Sequence, residues 1–321
     1  MERPQETTSD FSELESWDPE GDRVAVGYRP SGELHVGNLL SIAYAATVAS
    51  QLGLTLDLMN CDTDWSAHIH SQTKPGESNV MKLFFNRECP CGEHDNLAEH
   101  RAEEIEPFLE GLEEELDIEI ERGFLSDLHG DEDYLEALRD ILNKMDSFNE
   151  IFEGGFRRRY ESPVVNVCDC GYSHAKGAPY SEETDELVSS CRNPDCDEAF
   201  AASPLRDEIG VYYLVDPVRD VSRNVAVHVF GGDYRSAEKE QTTSKVWKVR
   251  EITRLATGEN PYYFLAPMIA DKEGKPLSKS KGTGTKVSEI GDLRDKAGEI
   301  VEKIDSWMDE EKKYVSEEEL V

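Results

Sequence analysis

The chain has 321 residues, and 34 Lys or Arg stand against 68 Asp or Glu, for a formal net charge of −34 at pH 7. At 38% hydrophobic residues it can bury a sizeable core, which fits one large α/β domain with an insertion, or two domains. It has no apolar run approaching the ~18 residues of a membrane span and no charged lead followed by an apolar stretch, which argues against a membrane protein and a signal peptide.

The acidic residues are spread along the whole chain. That distribution fits a protein solvated for very high salt; the alternative is an acidic face for a basic partner. Acidity disfavours loose nucleic-acid binding at low ionic strength, and less so near 1 M salt, where the Debye length is about 3 Å. Seven cysteines without an export signal suggest a reducing, cytoplasmic setting with thiols or metal in place of disulfides.

In chain order, residues 1–20 form a polar, acidic lead-in. "RVAVGY" (23–28) reads as a buried strand that enters a Pro-Ser-Gly turn. "LLSIAYAATVASQLG" (39–53) has apolar residues at helical spacing and a Gly stop, and "LTLDLMN" (54–60) is a second strand. Strand, Gly-bearing turn, helix and strand make a βαβ unit and hence a parallel sheet. A polar loop covers 61–97. Amphipathic helices follow at 98–116 and 134–152, the second with Leu135, Leu138, Ile141, Leu142, Met145 and Phe148 on one face. Cysteines punctuate 168–196. Strands are expected at 211–216, 225–230 and 262–270, a helix at 234–257, a basic Gly/Ser loop at 271–284, and helix from 287 to the end.

Two stretches carry chemistry. In "GYRPSGELHVGN" (27–38), a Gly-bearing turn meets a helix start, where exposed backbone N–H groups and the helix dipole favour phosphate. His35 and Asn38 can donate to phosphate oxygens, Ser31 and Gly32 shape the turn, and Gly37 lets a ligand approach the backbone. The plainer reading is an ordinary turn with a histidine at a helix start. In "GKPLSKSKG" (274–282), three lysines and two serines gather in a chain otherwise poor in lysine, which suits neutralising a triphosphate.

Together the two stretches resemble the class I aminoacyl-tRNA synthetase signatures known as HIGH and KMSKS. His35-Val36-Gly37-Asn38 matches the first, and Leu277-Ser278-Lys279-Ser280 the last four positions of the second, with Pro276 in place of its first lysine. "FGGDY" (230–234) is similar to the segment that lines the adenosine side of that site. Asn38, "CDTDW" (61–65), "GEHDNLAEH" (92–100) and "LVDP" (214–217) bring the chain nearest to the class I lysyl-tRNA synthetases. The pattern departs from that subgroup at "SAHIHS" after Trp65, at Tyr213 and Pro217, and at Gly232 and Tyr234, all near the amino-acid pocket. About 40 residues follow the lysine loop, so the family's long anticodon-binding domain is expected to be missing.

The resemblance implies a Rossmann-like parallel-sheet catalytic domain with an inserted helical and zinc-ribbon segment. Its halves would be 21–97 and 211–285, with the insertion at 98–210 and an acidic helical segment at 286–321. It implies ATP with Mg²⁺, an amino acid, and a tRNA or another acyl acceptor, and leaves room for a partner protein to replace the anticodon domain. His35, Asn38 and Lys279 would be catalytic. Ser31, Gly32, Gly37, Gly232, Asp233, Leu277, Ser278, Ser280 and Lys281 would hold ATP, with Asp233 on the ribose. Asp62, Asp64, Tyr213 and Asp216 would face the amino acid, with His68 and His70 as weaker candidates. Three readings stay open: a lysine–tRNA ligase domain, a stand-alone relative activating lysine, glutamate or another amino acid for a different acceptor, and a non-catalytic binding relative.

Cys168, Cys170, Cys191 and Cys196 form two thiol pairs with knuckle-like turns, a candidate closed structural Zn²⁺ site. Cys89, Cys91 and His94 make half of a second site, to be completed by Cys61 or His100. "RRR" (157–159) could meet an RNA backbone or pair with nearby acids.

Overall fold

The computed structural model describes residues 21–30, 33–62, 89, 91–128, 131–144, 147, 164–165, 180–181, 183–184, 186–190, 199–202, 210–211, 215–232, 245–258, 262–270, 284–310 and 312–320. The chain begins with β1 (Arg23–Tyr28), α1 (Val36–Leu52) and β2 (Thr55–Asn60), as the βαβ pattern requires. Next come α2 (Leu97–Leu116), β3 (Ile120–Phe124), a single turn α3 (Leu125–Leu128) and α4 (Glu132–Asn143). Short strands follow: β4 (Val164–Val165), β5 (Tyr180–Ser181), β6 (Glu186–Ser190), β7 (Ala199–Ala202) and β8 (Gly210–Val211). The second half holds α5 (Val215–Ser222), β9 (Val225–Phe230), α6 (Lys245–Thr257), β10 (Tyr262–Leu265) and β11 (Met268–Ala270). It closes with a 3₁₀ turn at Val287–Glu289, α7 (Leu293–Asp309), β12 (Tyr314–Ser316) and α8 (Glu317–Leu320).

Five strands form one parallel sheet in the order β10-β9-β1-β2-β3. On one face Val24, Val26 and Tyr28 of β1 pack with α1, α2 and α7, through Leu39, Leu40, Ile105, Phe108, Ile300 and Ile304. Nearly every side chain from Val36 to Ala49 in α1 is buried, so its small Ala and Ser residues allow helices and sheet to close in around it. On the other face lie α4, α5 and α6, with Phe230, Tyr263 and Leu265 packed on Val246 and Val249. Helices on both faces of an all-parallel sheet make the doubly wound, Rossmann-like architecture.

Several expectations are corrected. The strand expected at 211–216 is divided: β8 pairs antiparallel with β4, and Val215–Asp216 open α5. Pro217 sits in the first turn of that helix, where its missing N–H costs nothing, and Asp216 suits the positive helix end. The strand expected at 262–270 breaks at Ala266–Pro267 into β10 and β11, which belong to different sheets. The stretch from 287 is not all helix, since β12 pairs in parallel with β11. β3 lies inside the segment assigned to the insertion, yet it pairs with β2 as the edge of the main sheet. Its charged alternation, "IERGF", matches an edge strand and hides it from a search for apolar strands.

At the start of the sheet a cluster of charges joins non-adjacent segments. Buried Asp57 of β2 accepts from Arg223 Nε at 2.8 Å, and Glu121 of β3 accepts from Arg223 and from Arg23 of β1. Arg23 beside it holds the Glu121 carboxyl below its usual range.

Phe108 is fully buried where α2 meets the sheet and α7. Phe108→Ala is expected to cost about 3–5 kcal/mol of unfolding free energy, read from denaturant titration in molar salt. A loss below about 1 kcal/mol would mean that α2 does not pack as described.

Candidate active site and cysteine–histidine cluster

β1 is the switch point of the sheet: β2 and β3 extend from it to one side, β9 and β10 to the other. In such sheets ligands bind beyond the carboxyl ends of the strands at this point. The turn after β1 leads to His35, and the turn after β9 begins Gly231-Gly232. The "GYRPSGELHVGN" and "FGGDY" segments therefore leave neighbouring strands at the same end.

His35 is the N-cap of α1, in extended conformation. Its Nδ1 accepts from the Gly37 N–H at 3.0 Å, and Asn38 Oδ1 accepts from the His35 N–H at 3.2 Å. This reciprocal cap fixes the ring and places its proton on Nε2. A Cβ on Gly37 would lie 2.8 Å from His35 Cε1, so glycine is what allows this cap.

The helix start differs from the expectation of exposed N–H groups. Val36 N–H donates to Thr285 O at 3.0 Å, Gly37 N–H to His35 Nδ1, and Asn38 N–H to His35 O at 2.8 Å. These donors are engaged within the chain, so phosphate recognition here would fall to side chains and the helix dipole.

The segment after the lysine-rich loop is joined to this helix start. His35 and Lys286 form an antiparallel bridge, Val287 N–H donates to Leu34 O at 2.9 Å, and Lys286 Nζ lies 2.6 Å from Glu33 Oε2. The segment before the loop is equally close. A Cβ on Gly232 would lie 2.5 Å from Met268 Cα, and one on Gly37 would lie 3.5 Å from Ile269 Cδ1. Gly232 thus serves backbone-to-backbone packing against Pro267–Met268, which any side chain would disrupt. The Thr285 N–H donates to Glu317, which ties in α8.

Of the expected amino-acid contacts, Asp62 closes β2. Its Oδ1 accepts from the Ser126 N–H at 2.9 Å, and its Oδ2 accepts from the Ser126 hydroxyl, so it caps α3. Asp216 lies in the first turn of α5. Ser31, Gly32, Asp64, His68, His70, Tyr213, Asp233 and the lysine-loop residues Leu277, Ser278, Lys279, Ser280 and Lys281 lie outside the described residues. So do Arg157–Arg159 and the four cysteines Cys168, Cys170, Cys191 and Cys196.

The second thiol site is completed by His100. Cys89, Cys91, His94 and His100 bring one ligand atom each within 4.8 Å of one another. Cys89 Sγ lies 2.9 Å from His100 Nδ1, and Cys91 Sγ 3.1 Å from His94 Nδ1. Cys61, the other candidate, instead points to Met59 O at the end of β2. A tetrahedral Zn²⁺ with two thiolates and two imidazoles separates its ligand atoms by about 3.3–3.8 Å, so this set fits after separations change by up to about 1 Å. His94 Nε2 donates to Glu103 Oε2 at 2.8 Å, which leaves Nδ1 as the ligating nitrogen. His94 beside it pulls the Cys91 thiol down to about 6, toward the thiolate that metals bind.

One buried polar group had no sequence signal. Arg219, 0% exposed on α5, donates from Nη2 to His228 Nε2 at 3.0 Å, and His228 Nδ1 donates to Asp220 at 2.9 Å. His228 thus bridges Arg219 and Asp220. Burial works against the Arg219 charge, but the carboxylates of Asp220, Asp57 and Asp216 outweigh it and raise its pKa. "VRDVS" belongs to no motif, and its role depends on which face of α5 meets the sheet.

A family model described as tRNA synthetases class I (K) matches residues 11–297, and the chain belongs to that family. A lysine–tRNA ligase of Methanosarcina barkeri is 28% identical over 284 residues, 84% of this chain and 50% of that protein. One from Methanocaldococcus jannaschii is 27% identical over 275 residues, covering 81% and 50%. The chain spans about half the length of the curated relatives it matches. Among solved structures, a glutamate tRNA ligase from Elizabethkingia meningosepticum aligns at TM-score 0.43 and 16% identity, covering 88% of this chain and 60% of that one. The tyrosyl-tRNA synthetase of Aeropyrum pernix aligns at TM-score 0.45 and 13% identity, covering 86% and 62%. No helix among the described residues is long and apolar enough to cross a membrane.

Gly37→Ala is expected to push the His35 ring off its cap and cost about 1 kcal/mol of stability, read by denaturant titration. The same variant should shift the His35 imidazole resonances in NMR spectra; unchanged resonances would show that the cap is not formed as described.

Proposed function

We propose that the chain activates an amino acid with ATP and passes the acyl group to tRNA. The observation that carries this reading is the junction at the switch point, where residues on both sides of the lysine-rich loop meet His35, Gly37 and Gly232. The amino-acid carboxylate attacks the α-phosphorus of ATP, the bond to the β-phosphate oxygen breaks, and pyrophosphate leaves with its electron pair. No covalent enzyme intermediate is required, so the protein contributes positioning and charge stabilisation.

In this reading His35 donates its Nε2 proton as a hydrogen bond to a phosphate oxygen, and the Asn38 amide supports it. Ser31, Gly32 and Gly37 give the nucleotide room, and Gly232 and Asp233 border the ribose. Lys279 and Lys281 neutralise the departing pyrophosphate, with Leu277, Ser278 and Ser280 shaping their loop. Mg²⁺ bound with ATP supplies charge neutralisation at the phosphates. The names of the curated relatives support tRNA as acceptor and make lysine the first amino acid to test.

Lys279→Ala should lower ATP–pyrophosphate exchange, assayed in high salt across the amino acids, by on the order of 10²–10³. Undiminished exchange would sink this mechanism.

We also propose that Cys89, Cys91, His94 and His100 hold a structural Zn²⁺, since four protein ligands leave no open position for substrate. The double variant Cys91→Ser/His100→Ala should carry one zinc fewer per chain than the parent and melt at a lower temperature. Equal metal content in the two proteins, measured by atomic emission, would refute the assignment.

A further inference from the structure

We propose that a ridge of cations on α6, formed by Lys245, Lys248 and Arg254, is a surface that takes the phosphate backbone of the tRNA. This rests on the reading of tRNA as acceptor given above and names where that partner lies.

Charge sets α6 apart. In a chain of formal net charge −34, α2, α3, α4, α5, α7 and α8 each carry more acids than cations, and α1 carries neither. In α6, Lys245, Lys248, Arg250 and Arg254 stand against Glu251 alone. A composition suited to solvation in salt does not gather cations on one helix. Helix stability does not call for them at this end either. Lys245 and Lys248 open the helix, with no acid in its first turn, where the positive end of the dipole repels cations. The cation that the dipole favours is supplied at the other end by Lys144, whose Nζ donates to Leu255 O at 3.4 Å and to Ala256 O at 2.9 Å.

Helical spacing puts these residues in one row. Val246, Val249, Ile252 and Thr253 are buried and make the stripe that faces the sheet. Lys248, Glu251 and Arg254 lie three residues apart, in a ridge that winds away from that stripe, and Lys245 continues the row to the tip of the helix. Glu251 is turned inward, with its side chain 12% exposed, and accepts from Arg254 Nε at 3.2 Å and Nη2 at 2.8 Å. The Arg254 side chain stays 40% exposed. The acid thus fixes the guanidinium at the surface, and the ridge keeps more cations than acids. Arg250 is not part of it, since its Nε is buried.

The place of the ridge suits the partner. β9 and β10 are parallel neighbours, and α6 lies between them in the chain. It therefore runs back along the sheet, with its lysine-bearing end toward the strand ends that carry His35 and Gly231–Gly232. A tRNA must bring its acyl-accepting end to that edge, while the net charge of the chain repels polyanions. Cations gathered beside the edge offset that repulsion locally, by displacing counterions from the phosphates.

The test is titration of the full chain against end-labelled, unfractionated tRNA, read by fluorescence anisotropy from about 0.5 to 2 M KCl. The triple variant Lys245→Gln/Lys248→Gln/Arg254→Gln should bind about 10-fold more weakly at the low end of that range, and its slope of log affinity against log salt should be shallower by about 3. The double variant Lys245→Gln/Lys248→Gln keeps the Glu251–Arg254 pair and should lose about 2 of that slope, so the test stands even if the triple variant does not fold. Arg294→Gln/Lys296→Gln removes two cations from α7, on the other face of the sheet, and should leave the slope unchanged. No binding by the parent, an unchanged slope in the double variant, or an equal change in the α7 variant would overturn the assignment. Equal affinity for a DNA duplex of similar length would overturn tRNA as the occupant. Pyrophosphate exchange is run on the same parent protein, with and without tRNA. Binding through the ridge with no exchange would refute activation and leave the surface standing, and exchange with no tRNA binding would do the reverse.

Discussion

The parallel pairing of β1 with β9 is the constraint on which the site depends. Val24 lies beside Val227 and Ala25 beside His228, segments from opposite ends of the chain. Parallel neighbours emit their following turns at the same edge, so the pairing delivers His35 and Gly231–Gly232 to one place. It also makes β1 the strand from which the sheet extends both ways. Arg219 is buried against β1 because α5 leads directly into β9 and packs on the face opposite α1.

Close backbone approach holds the second half of the site. Gly232 lies against Pro267–Met268, and Thr285–Val287 exchange hydrogen bonds with Leu34–Val36. β12 pairs with β11 and Glu317 accepts from Thr285, so an acidic segment far along the chain supports the same junction. The helix start consequently spends its backbone donors on the protein itself. Rigidity there is gained from engaged N–H groups, and anion recognition passes to side chains.

Much of this was legible in the residues. The βαβ pattern of 23–60 appears as expected because apolar periodicity there is strong and the helix is buried on nearly all sides. β3 was not legible, because an edge strand need not be apolar. The break at Pro267 and the helix α5 were not legible, because short apolar runs fit either state and the arbiter is the partner sheet. Cys89, Cys91 and His94 announced a ligand set through their spacing, while the choice between Cys61 and His100 needed three dimensions. His100 lies one turn into α2, beside the thiols, whereas Cys61 ends a strand whose carbonyl it faces.

The amino-acid sequence by itself determined the family resemblance, the phosphate-suited stretches and the inventory of donors, since these follow from residue type and local spacing. The tertiary structure alone decided which of those groups are already engaged within the fold. That difference is physical: whether a hydrogen-bonding group recognises a ligand depends on its having no partner within the fold, and partners come from distant segments. Asp62 is engaged by Ser126, and the first N–H groups of α1 are engaged by Thr285 and His35.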